Sequence, residues 1–139
     1  MIYCDTSLLV SFLTTEVHTD VARLWLLQRQ FASLCISDWV ITEVASALAQ
    51  KRRQGAIVGD QRYDTLEAWS ALKAKMSVLP VSHGRFSEAA GLVDSPRRGL
   101  RAADALHLAI ILDQGCALAT FDRDMADAAR ALGVVVHPA

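Results

Sequence analysis

Mostly apolar short runs alternate with helix-patterned stretches along this chain, and that order predicts an α/β fold. We expect a three-layer α/β/α sandwich around a parallel sheet of about five strands. Three observations carry the expectation. The runs at residues 2–4, 32–37, 77–81, 116–121 and 134–136 are too continuous for a strand with one wet face, and doubly covered parallel strands read this way. Nearly every run is followed by a stretch with helical spacing or helix caps. Asp5 and Asp122 each end an apolar run, at the carboxyl strand ends where open α/β sheets bind ligands.

The chain has 139 residues, the size of one ordinary domain, here taken as residues 1–139. Hydrophobic residues make up 53%, enough for a full core and against disorder. A net charge of −1 means that nucleic acid would be held by a local patch or through metal ions, not by a basic field. Cys4, Cys35 and Cys116 lack C-x-x-C spacing and sit in apolar segments, so we read them as reduced core residues of a cytosolic protein. No basic segment precedes an apolar one at the start, so no signal peptide is expected. No apolar run reaches the roughly 20 residues needed to cross a bilayer. The expected location is cytoplasmic, with no membrane partner.

Taken in order, residues 2–4 form the first strand and residues 8–13 a helix of under two turns. A second helix runs to about residue 30, with Val21, Leu24, Trp25 and Gln28 at helical spacing and Leu26 and Leu27 thickening the apolar stripe. After the second strand, Asp38 is the expected N-cap of a helix over residues 39–54. Lys51, Arg52 and Arg53 favour its C-terminal dipole, and Gly55 stops it. A helix over residues 60–75 should bury Tyr63, Leu66, Ala68, Trp69 and Leu72. Pro80 cannot donate to a ladder, so the third strand lies at an edge or ends there. Residues 86–93 are helical, residues 94–99 a loop, and residues 100–112 a helix apolar nearly all round, hence buried. A short helix over residues 123–132 precedes the last strand.

Four acidic residues stand out. Asp5 and Asp122 end strands, while Glu43 and Asp104 lie near the starts of helices in apolar company. Each has a bland explanation: Asp5 as a helix cap, Glu43 as an exposed helix residue, Asp104 as a charge favoured by a helix N-terminus. Asp124 is the neighbour expected to cap the last helix. If both helices start at the same sheet edge, all four acids face one crevice, and such a cluster needs a cation. Oxygen donors suit a hard divalent ion. His18, His83, His107 and His137 have no metal-ligand spacing, and His107 is expected in the core or supporting the site.

The segments Met-Ile-Tyr-Cys-Asp-Thr-Ser at the start, Ile41-Thr42-Glu43-Val44, residues 100–109 around Asp104, and Thr120-Phe121-Asp122-Arg123-Asp124 together resemble PIN-domain ribonucleases. Length and spacing are most similar to the VapC toxins of bacterial toxin–antitoxin pairs. The resemblance implies a PIN-like sandwich in which Asp5, Glu43, Asp104 and Asp122 gather around Mg²⁺ or Mn²⁺. It implies that the hydroxyl of Thr6 or Ser7 supports them. The reaction implied is endonucleolytic hydrolysis of RNA that leaves 5′-phosphate and 3′-hydroxyl ends. Arg97, Arg98 and Arg101 would then hold the RNA backbone, with Lys51, Arg52 and Arg53 farther out. A homodimer and a VapB-like antitoxin are the implied partners. The antitoxin tail would dock on an apolar surface near the first, second and fourth helices, with Trp25 and Trp69 part-exposed, and could offer an arginine to the carboxylates.

Other readings exist. A phosphatase with Asp5 as nucleophile wants a second Asp two positions on, where Ser7 stands. A Mg²⁺-binding receiver-like module wants a mid-chain strand-end Asp and a later strand-end Lys, and no such Lys is present. A PIN-domain nuclease of RNA processing without an antitoxin also fits the pattern, whereas four intact acids argue against a PIN-like fold used only for binding. Crowded carboxylates disfavour each other's charged form, so at least one of the four should have a raised pKa.

Overall fold

β1 (Ile2–Cys4) runs through the middle of the sheet, with β2 (Leu34–Ser37) on one side and β4 (Ala117–Ala119) on the other. The structure, a computed structural model, describes residues 1–95 and 99–138. Among these the sheet has five strands in the order β3-β2-β1-β4-β5, with β3 at Ser77–Leu79 and β5 at Val136–His137. Every pairing is parallel. Tyr3, Cys4, Leu34, Cys35 and Ile36 are fully buried, as strands covered on both faces must be. β3 is an edge strand with Val78 exposed, and Pro80 follows it directly, as a residue lacking a donor requires.

Among the described residues seven α-helices connect the strands: α1 (Thr6–Leu13), α2 (Thr19–Leu27), α3 (Asp38–Arg53), α4 (Asp60–Lys73), α5 (His83–Val93), α6 (Ala102–Gln114) and α7 (Arg123–Ala131). The chain steps from β1 to β2 to β3 in one direction, then crosses back to β4 and β5 in the other. Right-handed connections therefore put α1–α4 and α5–α7 on opposite faces of the sheet. The packing agrees: α1 touches α2, α3 and α4, while α5 lies along α6. The direction reverses between β1 and β4, and the crevice at such a switch point is where α/β sheets bind ligands.

α6 is the buried helix that the sequence indicates. Its residues from Ala105 to Ile111 are all buried, and Gly115, at φ 63°, gives it the left-handed end that glycine adopts without strain. Several other expectations change. α2 ends at Leu27 and buries Ala22, Trp25 and Leu26, leaving Val21, Leu24 and Leu27 exposed. α4 buries Trp69 and Leu72 but exposes Tyr63, Leu66 and Ala68, so Trp25 and Trp69 are core residues rather than part of a docking surface. Ser37, not Asp38, caps α3, accepting from the Val40 N–H. Asp122, not Asp124, caps α7. All three cysteines are buried and free, with Cys35 and Cys116 sulfurs 3.9 Å apart. Among the described residues no helix is long and apolar enough to cross a membrane.

Candidate active site

The carboxyl ends of β1 and β4 open into a cleft of about 630 Å³ lined by Asp5, Glu43, Asp104 and Asp122, together with Thr6, Ser7 and Arg101. Each acid arrives on a different element. Asp5 follows β1 and caps α1; Asp122 lies just beyond β4 and caps α7; Glu43 lies in the second turn of α3; Asp104 is in the first turn of α6. Capping and facing the cleft are thus compatible for both strand-end aspartates, because a helix that starts at a strand end aims its free N–H groups at the same place.

Asp5 is 4% exposed and held from three sides. Its Oδ1 accepts from the Leu8 N–H at 3.1 Å and the Ser7 hydroxyl at 2.7 Å, and its Oδ2 accepts from the Thr120 hydroxyl at 2.7 Å. Those hydroxyls are fixed in turn. The Phe121 N–H donates to Ser7 Oγ at 2.8 Å, and the Asp122 N–H donates to Thr120 Oγ1 at 2.9 Å. The network ties the start of α1 to the β4–α7 turn across the switch point. A carboxylate offers about four lone-pair sites, so these three hydrogen bonds leave Oδ2 one more to offer. Burial raises the Asp5 carboxyl pKa above the usual range, and the bonds from Thr120, Ser7 and Leu8 counter this without cancelling it. Thr120 was missed in the sequence; its only signal was a hydroxyl two residues before Asp122.

Glu43 has the opposite balance. Its Oε2 accepts from the Thr6 hydroxyl at 2.5 Å and faces His107 Nε2 at 2.7 Å. Burial works to raise its pKa, but the His107 contact and the Thr6 hydroxyl outweigh burial, and the carboxyl is held below the ordinary value. His107 is 3% exposed and supports the site from the core, as expected.

Asp104 is raised, first by burial and then by the charge of Asp122, with Arg101 pulling the other way. Burial is the largest cause at both aspartates, and the expected effect of crowding adds to it at Asp104 through Asp122. The Arg101 guanidinium lies between the two aspartates, its Nε 3.4 Å from Asp104 and its Nη2 3.7 Å from Asp122, with the side chain 75% exposed. Arg97 and Arg98 lie outside the described residues. Lys51 pairs with Glu16 at 2.9 Å, and Glu16 itself lines the cleft. Among the described residues no three His, Cys, Asp or Glu side chains close on one point tightly enough to cage an ion.

Residues 2–131 match the family model described as PIN domain. The chain belongs to the PIN domain family. No curated protein matches it. Solved structures share the PIN fold at low identity. FitAcB from Neisseria gonorrhoeae has a TM-score of 0.76 at 18% identity, over 98% of this chain and 96% of that one. VapC20 of Mycobacterium tuberculosis, described as a sarcin-ricin loop cleaving toxin, has a TM-score of 0.73 at 20% identity, over 97% of each chain. VapBC2 from Rickettsia felis, bound to a promoter DNA fragment, has a TM-score of 0.68 at 16% identity, over 99% of this chain and 98% of that one.

Proposed function

We propose that this PIN domain is a metal-dependent endoribonuclease and the toxin of a toxin–antitoxin pair. The observation that carries the nuclease reading is the meeting of four carboxylates, from four elements, in one cleft at the switch point of the sheet. Asp5, Glu43, Asp104 and Asp122 are the residues that would hold Mg²⁺ or Mn²⁺. The donor set fits. It is all oxygen, and Mg²⁺ takes one or two carboxylates and keeps waters, so a tight cage of three is not required. The bound ion supplies positive charge against the phosphate oxygens and makes water more acidic.

The protein's own part is positioning. Ser7 and Thr120 fix Asp5, and Thr6 and His107 fix Glu43. Arg101 stands exposed at the mouth, where its guanidinium can pass from the aspartates to an RNA phosphate. RNA incubated with Mg²⁺ or Mn²⁺ should give products with 5′-phosphate and 3′-hydroxyl ends that join adapters without end repair. Products ending in 2′,3′-cyclic phosphate would contradict hydrolysis by water.

The toxin reading rests on the fold shared with VapC20 and with the proteins of the VapBC2 complex. It is supported by the outer face of α2, where Val21, Leu24 and Leu27 are exposed side by side and suit an antitoxin helix. The homodimer is supported by an apolar groove between α5 and α6 that includes Trp39 and the exposed Phe86 and Val93. Co-expression with the product of a neighbouring small gene should relieve toxicity and raise the mass of the purified protein; if toxicity and mass both stay unchanged, there is no antitoxin partner of this kind.

A further inference from the structure

His18 lies flat on Phe121 at the cleft, with ring centroids 4.6 Å apart and planes 12° from parallel. Both residues line the same cleft as Asp5 and Asp122. Phe121 is half-buried, and its N–H bonds the Ser7 hydroxyl that also bonds Asp5, so the ring is placed relative to that carboxylate. His18 is exposed, and one face of its ring covers Phe121.

The loop carrying His18 is held far more firmly than an exposed turn needs. Thr19 donates its hydroxyl to the Thr14 carbonyl at 2.7 Å and accepts from the Glu16 N–H at 2.8 Å, and both threonines are buried. Glu16 is gripped by the Ser11 hydroxyl and by Lys51 at 2.9 Å. These bonds fix the direction in which the chain enters α2, and so the backbone from which His18 reaches the phenyl ring. A rigid aromatic stack with an open face beside a phosphate-cleaving cleft has the form of the platforms on which unpaired bases stack. Ser46 and Gln50 of α3 line the same cleft and add a hydroxyl and an amide able to meet a base edge.

We propose that His18, backed by Phe121, is the stacking subsite for one unpaired nucleobase next to the phosphate that is cut. The proposal rests on the nuclease reading but does not need cleavage for its test. Cleavage is silenced with Asp104→Asn, and single-stranded oligoribonucleotides carrying one 2-aminopurine at successive positions are bound to this protein. Fluorescence should be quenched on binding at one position. His18→Ala should abolish that quench and weaken binding on the order of tenfold, while His18→Phe should keep both. In the cleaving protein, His18→Ala should raise KM and leave kcat near the parent value. An abasic nucleotide at the quenched position should erase the difference between parent and His18→Ala. The proposal is overturned if no position is quenched, if His18→Ala binds like the parent, or if His18→Phe is as weak as His18→Ala. It is also overturned if His18→Ala changes only inhibition by an antitoxin peptide, since the platform would then serve protein. Metal-dependent cleavage by the parent with no role for His18 would sink the subsite and spare the nuclease. His18-dependent binding without cleavage by the parent would do the reverse.

Discussion

Nε2 of His107 lies 2.7 Å from Oε2 of Glu43, while Nδ1 of the same ring lies 2.8 Å from the Tyr3 hydroxyl. An ionised carboxylate can only accept, so Nε2 carries the proton. Tyr3 in turn meets the Ser37 hydroxyl at 2.7 Å, and burial pushes its pKa far up, so it stays protonated. A chain of hydrogen bonds thus runs from β2 through the core of the sheet to an acid in the cleft.

Breaking that chain should be costly. His107→Ala takes one of two hydrogen-bond partners from Tyr3, which keeps Ser37, and one of two from Glu43, which keeps Thr6, and each such buried bond lost costs about 1–3 kcal/mol. We expect a loss of about 3 kcal/mol in urea denaturation, and about 1 kcal/mol for Tyr3→Phe. A His107→Ala protein as stable as its parent would show that the ring merely fills space.

Asp104 and Glu43 should shift stability in opposite directions with pH. Asp104 is raised in the folded protein, by burial and then by Asp122. A raised group adds stability that is complete below the unfolded pKa, roughly 4, and is lost as pH climbs through the folded one. Asp104→Asn should therefore melt higher than the parent at neutral pH, by on the order of 1 kcal/mol or less. The gap should close at about pH 3. Divalent ion should stabilise the parent more than this variant.

Glu43 is lowered, because the His107 contact and Thr6 outweigh burial. Such a group adds stability that is present above its unfolded pKa, about 4.3, and is lost as pH falls through the folded one. Glu43→Gln should melt lower than the parent at neutral pH, with the deficit shrinking in acid. Melts of both variants across pH check the two signs together; shifts in the same direction would mean that the acids do not have the environments described.

Arg101 should matter for RNA and hardly at all for stability. Its side chain is 75% exposed and its contacts are long, so Arg101→Ala should change stability by about 0.5 kcal/mol or less. RNA affinity should fall across all sequences, and the salt slope of binding should drop by about 1. An unchanged slope in a salt titration would remove Arg101 from the phosphate path.

The parts of this fold that were legible in the sequence are those set by local chemistry. Asp5 and Asp122 end apolar runs, Pro80 marks an edge, and the unbroken apolar stretch of α6 shows a buried helix. The phase of α2 was not legible. Leu24, Trp25, Leu26 and Leu27 are all apolar, so the helix itself does not say which face meets α1. Packing chose Ala22, Trp25 and Leu26. α4 departs from the expected face for a related reason: Tyr63 and Leu66 share the helical spacing of Trp69, but both are exposed, and burial begins only at Trp69. Ser37 and Asp38 are both good caps, and adjacent candidates differ only by the strand's end. The contacts of Thr120 with Asp5 and of His18 with Phe121 join segments distant in sequence, which no local pattern reveals.

The most direct measurement is cleavage of single-stranded RNA by the parent and by Asp104→Asn, titrated with Mn²⁺ from excess chelator and with circular dichroism to check folding. The parent should cleave only once the ion is supplied, and the folded variant should be slower by about a hundredfold or more. Undiminished cleavage by the parent in excess chelator, or parent-like cleavage by Asp104→Asn, would contradict a metal-dependent nuclease built on these four acids.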